Sequence, residues 1–279
     1  MTEPYRVPAV RAAAAVLRAL LARQSGRGAS QAELVKATGI SKSSMHHLLA
    51  TLVDERMVVR HERTREYTLG PMLVALGAVA TAQTTILAAA REALAPLAAD
   101  HGLSFAVAHR TAPDRVEVVE RFYPPQDVHV GVMLGAEFGP FDGALGKCIL
   151  ADMDPDEAEA LVRSHPLHRH TERTITDASA LLAEVEHVRR AGWAASRQEL
   201  NDNNAVSARV TGPSGRAEAF VFALGFPSQL TDSRIVSVGN LLRDIAIEIG
   251  GECRAPQTDY NGDGTAQRSA SRTRAKERA

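Results

Sequence analysis

Apolar residues at the start of the chain recur at helical spacing and predict two helices. The first helix ends before the turn-forming residues 25–28, and its apolar face is formed by Val10, Ala13, Ala14, Leu17, Leu20 and Leu21. A second helix begins at about Gln31, because Ser30 and Glu33 have the spacing of a capping box. Gly39 ends this helix, since glycine readily accepts the left-handed backbone conformation.

A third helix follows a tight turn and presents hydrogen-bonding side chains on one face. Ser41 is its predicted N-cap. Its apolar face is formed by Met45, Leu48, Leu49 and Leu52, and its opposite face by Ser43, His46 and His47, with Lys42 and Ser44 beside them. Two short helices joined by a turn, with a polar face on the second, are typical of a helix-turn-helix that binds DNA.

Two short segments after the third helix have the composition of a β-hairpin. Residues 57–60 and 67–69 are predicted strands on either side of a charged turn. Three helices followed by a two-stranded hairpin predict a winged helix. Arg60, Arg63 and Arg65 are candidates for contact with the DNA backbone or minor groove, and a solvated turn is the alternative.

The pattern changes at Gly70-Pro71, where a new helix is predicted. Met72, Leu76 and Val79 continue it, and a second apolar series runs from Ile86 to Leu97. This linker helix either pairs with a second subunit or packs only on its own chain.

From Leu103 the chain alternates between strand and helix patterns, which predicts an α+β fold for the whole protein. Strands are predicted at residues 104–109, 116–122, 193–197, 205–210 and 217–226. Asp154 and Asp177 are predicted N-caps, and a last helix presents Ile235, Val238, Leu242, Ile245 and Ile249 on one face. The tail beyond residue 251 has few apolar residues and is predicted to be disordered.

The distribution of charge agrees with two functions in one chain. Residues 1–70 hold 11 Lys and Arg against 6 Asp and Glu, whereas residues 71–250 hold 15 against 23. A basic segment ahead of an acidic body fits a DNA-binding module carried by a domain with another task. Chance variation in surface charge is the alternative.

Two cysteines are too few for a disulfide framework or a cysteine-rich zinc site. We find no charged-then-apolar signal peptide and no apolar run long enough to cross a membrane. We therefore expect a cytoplasmic protein with reduced thiols and no membrane partner.

Two further motifs resemble known sites only superficially. The histidines of HPLHRH, His165, His168 and His170, have no nearby carboxylate or cysteine to complete a metal site, so a polar loop is favoured. Gly146-Lys147 lacks the other residues of a phosphate-binding loop, because Phe141 and Cys148 occupy the required positions. No metal or cofactor is expected.

Four segments together resemble the IclR-type bacterial transcription regulators. They are GISKSSMHHLLATL at 39–52, YTLGPMLVALG at 67–77, ALGKCILA at 144–151 and GWAASRQEL at 192–200. The resemblance implies a winged helix-turn-helix domain, a linker helix that helps to pair subunits, and a C-terminal GAF-like α/β effector-binding domain. It also implies dimers or tetramers on double-stranded operator DNA, and a small organic effector that is often a carboxylate or an aromatic compound.

The chain departs from the family pattern in both domains. His47 stands where Arg is usual in the recognition helix, and Arg56 where Gly is common before the wing. In the C-terminal domain, Asp142 replaces a frequent His, Gly143 a frequent Thr or Ser, Asn203 a frequent Gly and Arg209 a frequent Pro. The first pair implies an altered operator preference, and the second group puts the class of effector in question.

Candidate contact residues follow from the motifs and the resemblance. For DNA they are Ser41, Lys42, Ser43, Ser44, His46 and His47, because hydroxyls and lysine at a helix N-terminus suit phosphates and histidines can reach base edges. An exposed polar helix face is the alternative. For the effector, the matching family segments suggest Leu134, Phe138, Phe141, Gly143, Ala144, Leu145, Ser196 and Glu199, with core packing as the alternative.

The leading hypothesis is an effector-responsive repressor without enzymatic activity. Its domains are expected at residues 1–70, 71–100 and 101–251, followed by the tail at 252–279. One alternative is a small-molecule enzyme with Cys148 as nucleophile, although no partner motif is evident. Another is a regulator that has lost ligand control through the changes at Asp142, Gly143, Asn203 and Arg209.

Overall fold

The computed structural model describes residues 7–23, 27–82, 85–212 and 214–252. The N-terminal domain contains three helices, α1 (Pro8–Leu21), α2 (Gln31–Thr38) and α3 (Lys42–Asp54), followed by the antiparallel strands β1 (Val58–Arg60) and β2 (Tyr67–Leu69). Their apolar faces meet in one core around Val16, Leu34, Met45 and Leu49. The predicted winged helix is therefore confirmed.

The predicted caps form at both ends of α2, the first helix of the helix-turn-helix. The Ser30 hydroxyl accepts the N–H of Glu33 at 3.3 Å, and the Glu33 carboxylate accepts the Ser30 N–H at 2.8 Å. A hydrogen bond from Arg23, together with those from Ser30, lowers the pKa of Glu33 to about 2. Gly39 then ends α2 with φ +70°.

The linker consists of two helices where one was predicted. These helices, α4 (Pro71–Ala82) and α5 (Thr85–His101), are bent by 94° relative to each other. Helix α5 buries Ile86, Ala90 and Leu94 against the C-terminal sheet, whereas α4 buries none of its described side chains. The bend follows because only the second apolar series has a partner surface within the chain.

The C-terminal domain is built on a six-stranded antiparallel sheet. Its strands are β3 (Ser104–Ala112), β4 (Arg115–Phe122), β5 (Glu137–Phe138), β6 (Trp193–Arg197), β7 (Asn204–Thr211) and β8 (Ala217–Gly225), in the spatial order β5-β4-β3-β8-β7-β6. All five of the long strands were predicted to within a few residues. Strand β5 was not predicted, because two residues show no period.

Helices cover both faces of this sheet. One face packs on α5 and on α9 (Asp232–Glu252), and the other on α6 (Gly143–Asp152), α7 (Pro155–Ser164) and α8 (Ala178–Ala191). Asp154 and Asp177 cap α7 and α8 as predicted. The predicted disordered tail lies outside the described residues apart from Glu252, where α9 ends.

Among the described residues, no single helix is long and apolar enough to cross a membrane. Helices α4 and α5 satisfy the length and composition together, but only as a bent pair.

Candidate functional site

The N-terminus of α3 is a cluster of exposed polar side chains. The Ser41 hydroxyl accepts the N–H of Ser44 at 3.2 Å and donates to the Ser44 hydroxyl at 2.9 Å. It also lies 3.2 Å from the Ser43 hydroxyl. Ser41 thus caps the helix and holds the neighbouring hydroxyls at its positive end, where anions are favoured.

The polar face of α3 forms a shallow concavity with the start of α2. Its described lining consists of Gln31, Lys42, Ser43, His46 and His47. Gln31 donates from Nε2 to the Lys42 carbonyl at 3.0 Å, which joins the two helices across the turn. The rings of His46 and His47 lie edge to face, with centroids 5.7 Å apart. All six predicted DNA-contact residues of this region are exposed, and Lys42, Ser43, His46 and His47 share this concavity.

The wing, residues 58–69, carries the three predicted arginines on its exposed side. The Arg60 guanidinium lies over the Tyr67 ring, 5.9 Å from its centroid. Arg65 adopts φ +57° in the turn, which the Arg65 N–H closes by donating to the His61 carbonyl at 2.7 Å. The wing therefore presents these side chains on the backbone of a closed turn.

Arg56, two residues before β1, has a left-handed backbone conformation. Its φ is +56°, a conformation that glycine adopts without steric cost. The Arg56 carbonyl lies 2.3 Å from where a Cβ on Gly70 would be, so the chain after β2 passes close to its backbone. Arg56 thus adopts the left-handed conformation next to the backbone that follows β2.

Seven of the eight predicted effector residues line two cavities that meet at Asp142 and Gly143. The small cavity, of about 100 Å³, lies beside the N-terminus of α6. Its lining is largely apolar and consists of Val130, Gly131, Val132, Phe138, Asp142, Gly143, Ala144, Leu145, Ser196, Leu200, Asn201, Asn203, Ala205, Phe222 and Leu224. Five of the predicted residues, Phe138, Gly143, Ala144, Leu145 and Ser196, are therefore brought together here.

Gly143 makes room for the small cavity. Its φ is +57°, and a Cβ at this position would lie 3.0 Å from the Ser196 hydroxyl oxygen. A threonine or serine at this position would add further atoms toward Ser196. Gly143 therefore keeps the space in front of β6 open.

The large cavity, of about 440 Å³, lies on the other side of the same segment. Phe141 and Glu199 line it, as do Asp114, Arg115, Lys147, His165, His168 and His170. The Phe141 and His165 rings are stacked, 4.6 Å apart and within 4° of parallel. The HPLHRH segment is a loop, as predicted, and the described residues contain no cluster suited to a metal ion. Its place in a cavity wall had no signal in the sequence.

Lys147 is buried between the helix and the sheet, although lysine is usually exposed. Its Nζ donates to Glu199 Oε1 at 2.8 Å, to the Ala195 carbonyl at 2.9 Å and to Glu184 Oε2 at 3.2 Å. These bonds tie α6 to the end of β6 and to α8. Lys147 therefore fixes the walls of both cavities relative to each other, a role that the sequence did not indicate.

Leu134 is the one predicted effector residue that lines neither cavity. It lies instead at a concavity between the two domains, with Leu20, Leu21 and the wing. A Cβ on Gly135 would lie 2.5 Å from Leu21 Cδ2, so the backbone of this segment contacts α1 directly. The segment turns toward the N-terminal domain before β5 begins. Phe138, four residues after Leu134, lines the small cavity.

Two other residues, Arg209 and Cys148, are engaged in contacts within the protein and are not assigned to a ligand site. Arg209 donates from Nη1 to the Ala151 carbonyl at 3.0 Å and so caps the C-terminus of α6. Cys148 is fully buried, its Sγ donates to the Ser207 carbonyl at 3.3 Å, and burial raises the pKa of the thiol to about 11. Such a thiol is poorly suited to be a nucleophile.

Comparison with protein families assigns both domains. Residues 9–62 match the IclR helix-turn-helix domain, and residues 78–250 match the C-terminal domain of bacterial transcriptional regulators of the IclR type. The chain is 32% identical over 198 residues to the HTH-type transcriptional regulator Rv1719 of Mycobacterium tuberculosis, covering 68% of this chain and 71% of that protein. It is 24% identical to the regulator KipR of Bacillus subtilis, over 78% and 86% of the two chains.

Solved structures have the same arrangement. An IclR transcriptional regulator from Alicyclobacillus acidocaldarius superposes with a TM-score of 0.79 at 29% identity, covering 89% of this chain and all of that one. An IclR homolog from Microbacterium hydrocarbonoxydans, solved in complex with 4-hydroxybenzoate, gives a TM-score of 0.71 over 89% of this chain and 100% of that chain. At 19% identity, the second likeness shows the fold alone.

Proposed function

Because the chain belongs to the IclR family of DNA-binding bacterial transcription regulators, we propose that it is a repressor whose operator affinity is set by a small organic effector. We assign residues 1–70 to DNA binding, 71–100 to linkage and dimerisation, 101–251 to effector binding and 252–279 to a tail. The observation that carries the proposal is the exposed polar face of α3 beside a basic wing.

The contacts with DNA divide between the two elements. Ser43, His46 and His47 face outward from α3 and are assigned to base edges in the major groove. Lys42, Ser41 and Ser44 lie at the N-terminus of that helix and are assigned to phosphates. Arg60, Arg63 and Arg65 extend the surface along the backbone or into the minor groove. His47 in place of the usual arginine gives the protein an operator preference of its own.

Dimerisation is assigned to α4. Val74, Leu76 and Val79 are 74%, 51% and 57% exposed, so the helix presents an apolar surface that the single chain does not cover. A second copy of α4 would remove this surface from water, with a free-energy gain proportional to the apolar area buried. The proposed assembly is a homodimer or a tetramer, which places two recognition helices on one operator.

Effector binding is assigned to the small cavity. Its lining is mainly apolar and includes four polar residues, Asp142, Ser196, Asn201 and Asn203, which is the usual composition of a small-molecule site. Residues 134–138 connect Phe138 at this cavity to the contact with Leu21 in the DNA-binding domain. A ligand that displaces Phe138 would shift this contact and so the spacing of the two recognition helices.

The alternatives receive less support. An enzyme that uses Cys148 is disfavoured by the burial of that thiol and the raised pKa, and the relatives are regulators by name. Loss of ligand control is disfavoured by the cavity that remains at the altered residues Asp142, Gly143 and Asn203.

The proposal is tested by electrophoretic mobility shift. The full chain is titrated into a labelled fragment from upstream of its own coding region and into a shuffled fragment of equal length. The proposal expects retardation of the first fragment at concentrations at least about a thousandfold below those needed for the second. Equal retardation of both fragments would contradict a role in operator recognition.

A further inference from the structure

Among the residues that line the small cavity, Asp142 is the one ionisable residue, and it also lines the large cavity. The other polar side chains of the small cavity, Ser196, Asn201 and Asn203, are neutral, and every remaining residue of its lining is apolar or glycine. The part of the chain that the structure describes therefore offers an incoming ligand a negative charge and no positive one in this cavity.

The Asp142 carboxylate is only partly engaged by the protein. Its Oδ2 atom accepts the N–H of Gly139 at 2.6 Å. Within the described residues, no lysine, arginine or histidine lies within ion-pair distance of it. The nearby cation Lys147 is held by Glu199 and Glu184 instead. A half-buried carboxylate without a counter-ion is a favourable position for a cationic group of a ligand.

The N-terminus of α6 would attract an anionic group of a ligand, whereas Asp142 attracts a cationic one. The first turn of a helix has free N–H groups that favour anions. Asp142 precedes this turn, and its carboxylate already places a negative charge at that end. A ligand carboxylate bound there would approach Asp142 in a largely apolar cavity, where repulsion between like charges is only weakly screened. The balance therefore disfavours an acid in this cavity.

We propose that the effector is a small primary amine, with its ammonium group paired to Asp142 and an apolar body against Val132, Leu145 and Phe222. This ligand class rests on the proposed function, which assigns the effector to the small cavity. With a volume of about 100 Å³, the cavity suits one ring or a short aliphatic chain. Ser196 and Asn203 provide oxygen atoms that accept the remaining ammonium hydrogens.

Three probes that share one ring and differ in charge test the ligand class. Benzylamine, benzyl alcohol and benzoate are added to the full chain without DNA, and thermal unfolding is followed at neutral pH. A ligand that binds only the folded state raises the Tm in proportion to the logarithm of its concentration over its Kd. Benzylamine is expected to raise the Tm most and benzoate least.

Two matched variants test whether the Asp142 carboxylate is the group that binds the ammonium of benzylamine. Asp142→Asn keeps an acceptor for the Gly139 N–H, removes the charge, and is expected to weaken benzylamine binding about tenfold while it improves that of benzoate. Asp114→Asn removes a carboxylate that lines only the large cavity, and is expected to leave both affinities unchanged. A greater shift with benzoate than with benzylamine, no shift with benzylamine, or equal benzylamine binding by Asp142→Asn and the parent would overturn the proposal.

Mobility shift in the presence of the same probes separates this inference from the proposed function. If benzoate alone releases the chain from its upstream fragment, the effector-responsive function stands and the amine class is wrong. If benzylamine binds through Asp142 and leaves the DNA complex unchanged, the ligand class stands and the effector role of the cavity is wrong.

Discussion

The Lys147 ammonium lies 2.8 Å from the Glu199 carboxylate, and only 3% of the lysine side chain is exposed. Lys147 lies in the N-terminal half of α6 and Glu199 two residues after the end of β6, so their bond joins the helix layer to the edge of the sheet. Both line the large cavity, and the small cavity begins on the other side of Gly143. The shape of the effector domain at its proposed ligand site therefore depends on a buried ion pair.

Replacement of Lys147 by methionine should destabilise the effector domain. The variant leaves Glu199 without its partner at a largely buried position, and the free energy of unfolding should fall by about 3 kcal/mol. Urea denaturation of the full chain measures this change. Lys42→Met, at an exposed lysine, is the matched control and should change it by less than about 0.5 kcal/mol. Equal losses in the two variants would show that Lys147 contributes no more than a surface lysine.

Two glycines on either side of Pro71 should respond to alanine with opposite signs. A Cβ at Gly70 would lie 2.3 Å from the Arg56 carbonyl oxygen, so Gly70→Ala should cost about 1 to 3 kcal/mol. A Cβ at Gly77 has nothing within 4 Å, and Gly77→Ala should stabilise α4 by about 0.5 kcal/mol or more. The midpoints of urea denaturation of the two variants and the parent measure these changes in stability. Equal effects would mean that the approach of Gly70 to Arg56 imposes no constraint.

The capping box should make the winged helix sensitive to acid through Glu33. Its pKa of about 2 in the folded chain lies below the ordinary value of 4.5. Ionised Glu33 therefore stabilises the fold above pH 4.5, and this contribution is lost as the pH falls toward about 2. The difference in stability between the parent and Glu33→Gln should be constant near neutral pH and shrink across that range. Glu62→Gln in the wing turn is the control variant. A difference in stability between the parent and Glu33→Gln that grows as the pH falls would contradict the assignment.

Arginines of the wing should contribute to DNA affinity without regard to sequence. Arg63→Ala should weaken binding to the upstream and the shuffled fragments by similar factors, because phosphate contacts carry no sequence information. The slope of log affinity against log salt should decrease by about 0.9 for a phosphate contact that is lost. Fluorescence anisotropy over a series of salt concentrations measures both quantities. An unchanged slope would place Arg63 away from the DNA.

The local elements of this fold were predictable because their signals lie within a few residues. Ser30, Glu33 and Gly39 specify the ends of α2 by their own hydrogen bonds and backbone preference. The same holds for Asp154 and Asp177 at the starts of α7 and α8. The helix-turn-helix, its polar face and the positions of the long strands along the chain followed from such signals.

The cavity walls were less predictable because they depend on contacts between distant residues. Lys147 meets Glu199 52 positions later, and nothing in the sequence around Gly146-Lys147 indicates that this lysine is buried. Leu134 shares the apolar character of Phe138 but lies at the contact with the N-terminal domain. The bend between α4 and α5 likewise arises because the sheet covers only one of two similar apolar series.

The exposed polar face of α3 is the surface that we assign to operator recognition. The deciding measurement is the affinity of a triple alanine variant at Ser43, His46 and His47 for the upstream fragment, with stability checked by urea denaturation. We expect specific affinity to fall at least about a hundredfold, toward that for the shuffled fragment, with the urea midpoint unchanged. A matched triple at the exposed residues Ser164, His168 and His187 of the effector domain should bind like the parent. Parent-like binding by the α3 variant would show that another surface of the protein recognises the operator.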